Sequence, residues 1–188
     1  KTLSIQTTYQ CQQTCANCYL GDMLNNDDIP DVDIVRFEQA IRQLPNRTDI
    51  RFIGAEPTMN DYLTKMIKIV RQSGHRPSLL TNGLKLRRDV YVKELKESGL
   101  NLLGISMNGG TNTELYQLFD NGKYAKSKMI ALSNCFKYKI LPHVNMIVDP
   151  SNVDEIPNLI EYIVETALKN NIKFSPTRFP VMIRLKSI

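Results

Sequence analysis

TLSIQTTYQCQQTCANCY, residues Thr2 to Tyr19, is the stretch on which the reading of this chain turns. In its first half Leu3, Ile5, Thr7 and Tyr9 recur at every second place, the period of a β-strand. Its second half holds Cys11, Cys15 and Cys18, three of the four cysteines in the chain. Their spacing is C-x3-C-x2-C, directly after the strand. Three thiols are too many for one disulfide and one short of a closed four-ligand metal site. Soft thiolates select zinc, copper(I) or an iron–sulfur cluster. Neither His75 nor His143 is placed to complete a zinc site, since both fall at the far end of their strands from the cysteine loop. A thioredoxin-type pair of Cys15 and Cys18 leaves Cys11 without a role. A cubane held by three cysteines keeps one iron open, as a catalytic centre requires.

Outward from this stretch, strand-like and helix-like segments alternate. A helix is expected after Pro30 on the Ile34, Phe37, Ile41 and Leu44 stripe, followed by a second strand in DIRFIG. Leu63, Met66, Ile67 and Val70 mark the next helix, which Gly74 stops. PSLLTNG reads as strand three, RDVYVKELKESG as a helix ending at Gly99, and NLLGISMNG as strand four. A helix around Ala125, Met129, Leu132 and Phe136 precedes strand five, LPHVNMIV. Ser151 or Asn152 is the expected cap of a long helix lined by Ile156, Leu159, Ile160, Ile163, Val164 and Ala167, with Asp154 and Glu155 in its first turn. IKFSPTRF is the expected sixth strand. Six βα steps imply parallel strands joined by right-handed crossovers. A doubly wound sheet and a barrel both satisfy this pattern. Since a full eightfold barrel takes ~250 residues, six strands make a partial one.

The 188 residues suit one domain, 1–188, with an ordinary 42% hydrophobic and 23% charged composition. No apolar run approaches the roughly 18 residues of a membrane span. The N-terminus lacks a signal-peptide layout, which makes a reducing cytoplasm the expected compartment. The chain opens on Lys1 rather than methionine, which fits trimming at an end. The net charge of +5 is spread along the helices and reads as a solvated surface. It leaves nucleic acid open as a partner and suits an acidic electron donor.

The unusual residues gather where parallel α/β folds do their chemistry, at the carboxyl ends of strands. The cysteines follow strand one, GAEPT (Gly54 to Thr58) strand two, TNG (Thr81 to Gly83) strand three and SMNGG (Ser106 to Gly110) strand four. Asn145 lies in strand five and Arg178 ends strand six.

C-x3-C-x2-C after a first strand resembles the signature of the radical S-adenosylmethionine (SAM) enzymes. GAEPT resembles their GGEPT motif, and the likeness runs on through SLLTNGLKL and GISMNGG to about Pro180. The pattern is similar to the branch that holds molybdenum-cofactor-type, peptide-maturing and lipid- or pterin-modifying members. The resemblance implies a partial (β/α)6 TIM-like barrel and a [4Fe–4S] cluster on Cys11, Cys15 and Cys18. SAM would chelate the fourth iron and be reductively cleaved to methionine and a 5′-deoxyadenosyl radical, which takes hydrogen from a substrate. No side chain beyond the cluster ligands is assigned a catalytic role. The substrate is unidentified, with a peptide, a nucleotide-like molecule or a lipid precursor all allowed. A flavodoxin- or ferredoxin-type protein is the implied electron donor.

The resemblance also implies cofactor contacts. Gly54 and Ala55 are small enough for backbone to approach the methionine moiety. Glu56 is expected to accept from the SAM ammonium or order the loop that does, or else cap the following helix. Pro57 stiffens the turn before Thr58. Ser106 and Asn108 match ribose- or carboxylate-binding positions, Asn145 is a further polar contact, and Arg178 is a candidate fork for the SAM carboxylate. Tyr19 is expected either over the cluster or adenine or as core filling. Asn17 stands where relatives often carry an aromatic residue, so an adenine contact there falls to backbone. Cys135 reads as a small buried hydrophobe, and with no cysteine after it no auxiliary cluster is expected. The competing readings are a non-catalytic iron–sulfur or zinc module and a CxxC thiol redox protein.

Overall fold

The computed structural model describes residues 1–16, 18–45 and 47–173, and the backbone of a last strand at 181–185. Six strands form one sheet in the order β1-β2-β3-β4-β5-β6, every neighbouring pair parallel. They are β1 (Thr2–Gln6), β2 (Asp49–Ile53), β3 (Arg76–Thr81), β4 (Leu102–Ser106), β5 (His143–Val148) and β6 (Val181–Leu185). The connecting helices are α1 (Ile34–Arg42), α2 (Leu63–Gln72), α3 (Asp89–Glu97), α4 (Thr113–Asp120), α5 (Ala125–Lys137) and α6 (Ile156–Lys169). The strand order never reverses, so there is no switch point of the doubly wound kind. The sheet is wound in one direction, as the partial barrel requires.

The register shows why. Leu3 lies beside Ile50, and Ile50 beside Pro77, while Phe52 lies beside Leu79, Leu79 beside Leu103, and Ile105 beside Val144. That face packs on Phe37, Ile41, Met66, Val70, Val92, Leu95, Leu132, Phe136, Leu159 and Ile163 of the helices. The opposite face carries Ser4, Arg51, Ser78 and Leu102 in one row and Ser106 with Asn145 in another. Helices cover one face and leave the other mostly polar. A strand whose two faces differ this way alternates with period two, which is why the strands were legible in the sequence.

Each apolar stripe falls on a helix: Phe37 and Ile41 are buried on α1, and Leu63, Met66, Ile67 and Val70 on α2. Four details differ from the sequence reading. First, α4 escaped it. Asn112 caps this helix by accepting from the backbone N–H groups of Glu114 and Leu115, and Asn121 ends it in a left-handed conformation. Second, Asn152 is not a side-chain cap. A 3-10 turn, Val153–Glu155, leads into α6, and the Asn152 amide donates instead to the carbonyls of Asn108 and Ile147. Third, Glu155 is buried and accepts from the N–H and hydroxyl of Thr111, so it holds the loop after β4 rather than only sitting in the helix's first turn. Fourth, the sixth described strand is Val181–Leu185; of the expected 172–179, residues 172 and 173 are not in a strand and 174–179 lie outside the described residues. Asn171 is left-handed and the Ile172 N–H closes on the Ala167 carbonyl, so the chain is still ending α6 there. Residues 174–180 lie outside the described residues. No helix among the described residues is long and apolar enough to cross a membrane.

Candidate functional site

The segment that follows β1 continues toward the end of β2. Thr7 N–H donates to Ile53 O, Ala55 N–H to Thr8 O and Glu56 N–H to Gln10 O, each at 2.9–3.0 Å. This approach is close: a Cβ on Gly54 would stand 2.7 Å from Thr8 O. The glycine of GAEPT is therefore required by the chain's own backbone, independently of any ligand. Asn60 ties the same junction from below, its amide donating to Thr7 O at 2.9 Å.

Glu56 is the hub of the rim. Its side chain is buried, 1% exposed. Oε1 accepts from Thr58 N–H (3.0 Å), Thr58 Oγ1 (2.6 Å) and Thr81 Oγ1 (2.6 Å), and Oε2 accepts from Asn82 N–H (2.7 Å). It caps the 3-10 turn Pro57–Met59 and also locks TNG to GAEPT. Of the expected roles, capping and ordering are the ones its bonds fill. Asn82, once fixed, reaches the cysteine loop. Its amide donates toward Cys11 Sγ at 3.7 Å, while its Oδ1 accepts from Gln12 and from Leu84 N–H.

The three thiols sit on loop residues Cys11, Cys15 and Cys18 over this frame. Cys11 N–H donates to Asn25 Oδ1 at 2.7 Å, and Cys11 Sγ accepts from Gln13 N–H at 3.3 Å. A turn closes from Cys18 N–H to Cys15 O at 3.1 Å. The α4–α5 corner clamps the loop from the other side. Ala16 N–H donates to Phe119 O, the Asn121 amide to Thr14 O, and the Gln13 amide to Asp120 Oδ2 at 3.4 Å. Asp120 pairs with Lys128 at 2.8 Å, with side-chain exposures of 2% and 0%.

Burial raises the Cys11 thiol above its ordinary range. Burial first, and the Asp120 charge second, push Cys15 up to about 12. Such thiols stay protonated until a metal displaces the proton. Among the described residues no three His, Cys, Asp or Glu converge as ligands of one ion would. A cubane asks for something else, one thiolate on each of three irons, together with N–H groups aimed at sulfur. The two donors at Cys11 Sγ fit that demand. Gln6, at the end of β1, has a buried Nε2 without a partner.

The remaining expected contacts divide. Ser106 and Asn145 lie side by side in register on the uncovered face. Asn108 is engaged, its Oδ1 accepting from Ile147 N–H at 3.1 Å. Pro57 and Thr58 are buried beneath Glu56. Tyr19 is 71% exposed, which overturns core filling, and its hydroxyl donates to Gly54 O at 3.1 Å. Asn17 and Arg178 lie outside the described residues. Cys135 is fully buried on α5, and burial raises its thiol far above the ordinary range. His75 is a satisfied core histidine: Nδ1 accepts from Thr48 N–H, so Nε2 carries the proton shared with Ile41 O. His143 opens β5 and is exposed. Sequence reading did not single out Gln6, Gln13, Asn25, Asn82, Asp120 or Lys128. For most of these only tertiary proximity gives the role, although Asn82 stood within the TNG motif.

Fold and rim together define a singly wound parallel α/β domain with a three-cysteine loop at the carboxyl ends of its strands. The sequence profile of the Radical SAM superfamily matches residues 5–163, and the chain belongs to that family. Its members use a [4Fe–4S] cluster and SAM. The chain is 27% identical over 192 residues to 7,8-dihydro-6-hydroxymethylpterin dimethyltransferase of Methanocaldococcus jannaschii, covering 98% of this chain and 38% of that protein. It is 26% identical over 174 residues to GTP 3′,8-cyclase of Clostridium perfringens, covering 88% of this chain and 52% of that one. The chain thus spans between about two fifths and half of these relatives. Among solved structures, anSMEcpe with bound AdoMet and Kp18Cys peptide superposes with a TM-score of 0.73 at 19% identity, over 98% of this chain and 51% of that one. SuiB of Streptococcus suis bound to precursor peptide SuiA gives 0.77 at 16% identity, over 99% and 39%. These two likenesses concern the fold.

Proposed function

We propose that this chain is the core of a radical SAM enzyme, with Cys11, Cys15 and Cys18 holding the cluster. The observation that carries this reading is the three-thiol loop itself, fixed over the carboxyl ends of β1 to β3 with two N–H groups directed at Cys11 Sγ. When bound, the cluster and SAM supply reductive C–S cleavage and a 5′-deoxyadenosyl radical that takes hydrogen from a substrate. The chain's own residues do the positioning. Glu56 fixes Asn82 and the GAEPT turn, Asn82 and Gln13 donate toward Cys11 Sγ, and the α4–α5 corner pins the loop around Cys15. Ser106, Asn145 and the unpartnered Gln6 amide offer polar groups on the uncovered face for the nucleoside and amino-acid parts of SAM. With Glu56 already accepting four bonds, its part is to shape that site.

The open polar face supports a substrate larger than a metabolite fragment, in the range from a nucleotide-like molecule or lipid precursor to a peptide. The names of the relatives, a pterin dimethyltransferase, an Fe-coproporphyrin III synthase and a GTP 3′,8-cyclase, do not converge on one substrate. The electron donor we assign is an acidic flavodoxin- or ferredoxin-type protein. A cavity of about 550 Å³ beside the cysteine loop supports it, lined by Gln12, Lys85, Arg87, Arg88 and Lys123 against the single acid Asp61. Gln12 and Leu84 in its wall both bond Asn82, the residue that reaches Cys11.

Anaerobic reconstitution followed by iron and sulfide analysis tests the centre. About four irons per chain is the expected content of a cubane. One zinc, or a metal-free reversible disulfide, would refute the reading. With the cluster in place, dithionite and SAM are expected to yield 5′-deoxyadenosine, and an intact cluster that gives none refutes the enzymatic part.

A further inference from the structure

Asp120 on α4 and Lys128 on α5 form a buried ion pair that lies outside the apolar core joining the helices to the sheet. Burying two charges is costly and seldom stabilises a fold better than apolar residues would, so the pair calls for another explanation. Its surroundings supply one. Lys128 Nζ donates to Asp120 Oδ2 at 2.8 Å and to Ser106 O, at the end of β4, at 2.9 Å, and lies 4.9 Å from the Tyr116 ring centroid. The Gln13 amide donates to the same Oδ2 at 3.4 Å, while Gln13 Oε1 lies 3.9 Å from Cys15 Sγ. A continuous polar chain therefore runs from Cys15 through Gln13, Asp120 and Lys128 to the strand end beside Asn145. Asp120 Oδ1 is buried without a partner, so the carboxylate is less than fully neutralised by its own bonds.

We infer that the Asp120–Lys128 pair is a positioning device for the centre at Cys15, one that holds the cysteine loop against the end of β4 and sets the electrostatic field under which a cluster there is reduced. The inference rests on Cys15 being a cluster ligand. Charges close to an iron–sulfur centre and hydrogen bonds to its sulfurs are what tune its reduction potential. In a buried setting a unit charge acts with little screening. Asp120 stands nearer the Cys15 side of the chain and Lys128 nearer Ser106, so the net field at the thiol is negative and holds the potential down. A low potential is what an electron destined for a sulfonium bond requires.

The test uses the full chain reconstituted anaerobically, with potentiometric titration followed by electron paramagnetic resonance. Asp120→Asn removes the negative charge and leaves the cation, and is expected to move the potential upward. The double variant Asp120→Leu with Lys128→Met removes both charges. Apolar replacement of a buried pair is often neutral for folding, so this variant keeps the test open if the single one does not fold. Its potential is expected to lie above that of the wild type and below that of Asp120→Asn. A potential unchanged in the double variant, or one that falls, overturns the inference. If a folded variant takes up no cluster, hydrogen exchange in the metal-free chain decides. The Ala16 amide, bonded to Phe119 O, is expected to exchange faster than in the wild type, and unchanged exchange overturns the positioning role. A wild-type chain that binds no cluster would instead refute the underlying assignment, a separate result.

Discussion

Replacing Glu56 by glutamine changes one atom and reverses the hydrogen-bonding sense of one edge of the side chain. The native carboxylate accepts four bonds at 2.6–3.0 Å, three on Oε1 and one on Oε2. A glutamine has one acceptor oxygen and one donor NH₂. With its oxygen facing the two threonines, the NH₂ opposes Asn82 N–H and leaves that backbone donor unsatisfied, at a cost of about 1–3 kcal/mol. The three retained bonds become neutral and weaker, losing roughly 1 kcal/mol each. Against this, a neutral amide is less costly to bury than a carboxylate, which offsets part of the loss. The net expectation is about 2–4 kcal/mol of destabilisation, a large share of the ~5–15 kcal/mol that holds a domain together. Urea unfolding of the reduced, metal-free chain by circular dichroism reads this directly. Thr81→Val, which deletes one donor to the same oxygen, is expected to cost about 1 kcal/mol alone and less than that in the Glu56→Gln background, since the two share one network. A loss under about 1 kcal/mol for Glu56→Gln, or strict additivity with Thr81→Val, would refute the claim that Glu56 is the hub joining GAEPT to TNG.

Three further outcomes follow from the same geometry. Alanine at Cys11, Cys15 or Cys18 is expected to abolish cluster binding, whereas Cys135→Ala keeps it and loses about 1 kcal/mol through a small cavity, as iron content and urea midpoints will show. Charge reversal at Arg87 and Arg88 is expected to slow cluster reduction by an acidic donor protein about tenfold at low salt, an effect that vanishes at high salt, while reduction by dithionite is unchanged. Stopped-flow absorbance separates the two reductants, and equal slowing of both would dismiss the cavity as a docking site. Cluster assembly is expected to improve as pH rises. The folded protein holds Cys11 and Cys15 protonated, Cys15 up to about 12, and each thiol must lose its proton to bind iron. Iron uptake that is flat or falling between neutral and alkaline pH would contradict this.

Much of this protein could be read from its letters. The period-two faces of the strands and the 3.6-period stripes of α1, α2 and α6 are local consequences of burying one side of each element, so they survive in a single sequence. The cysteine spacing and GAEPT were legible because a close backbone approach and a three-thiol loop each require particular residues at fixed separations. The rest depended on distance in space. α4 was missed because its stripe is short, and its limits are set by Asn112 and Asn121, which look like ordinary loop residues until their bonds are seen. Tyr19 looked equally suited to core and rim, and only its exposure separates the two.

What the sequence by itself determined was the alternation of elements and the chemistry of one loop, because both are encoded within a few neighbouring residues. Periodicity left a doubly wound sheet and a partial barrel open, since both share the same local pattern; the family resemblance pointed to the barrel, and the strand order of the tertiary structure decided it. The tertiary structure alone brought Glu56 to Asn82 across 26 positions and Gln13 to Asp120 across 107. Such pairings arise where separate strand ends meet on one rim, and no spacing within the chain announces them.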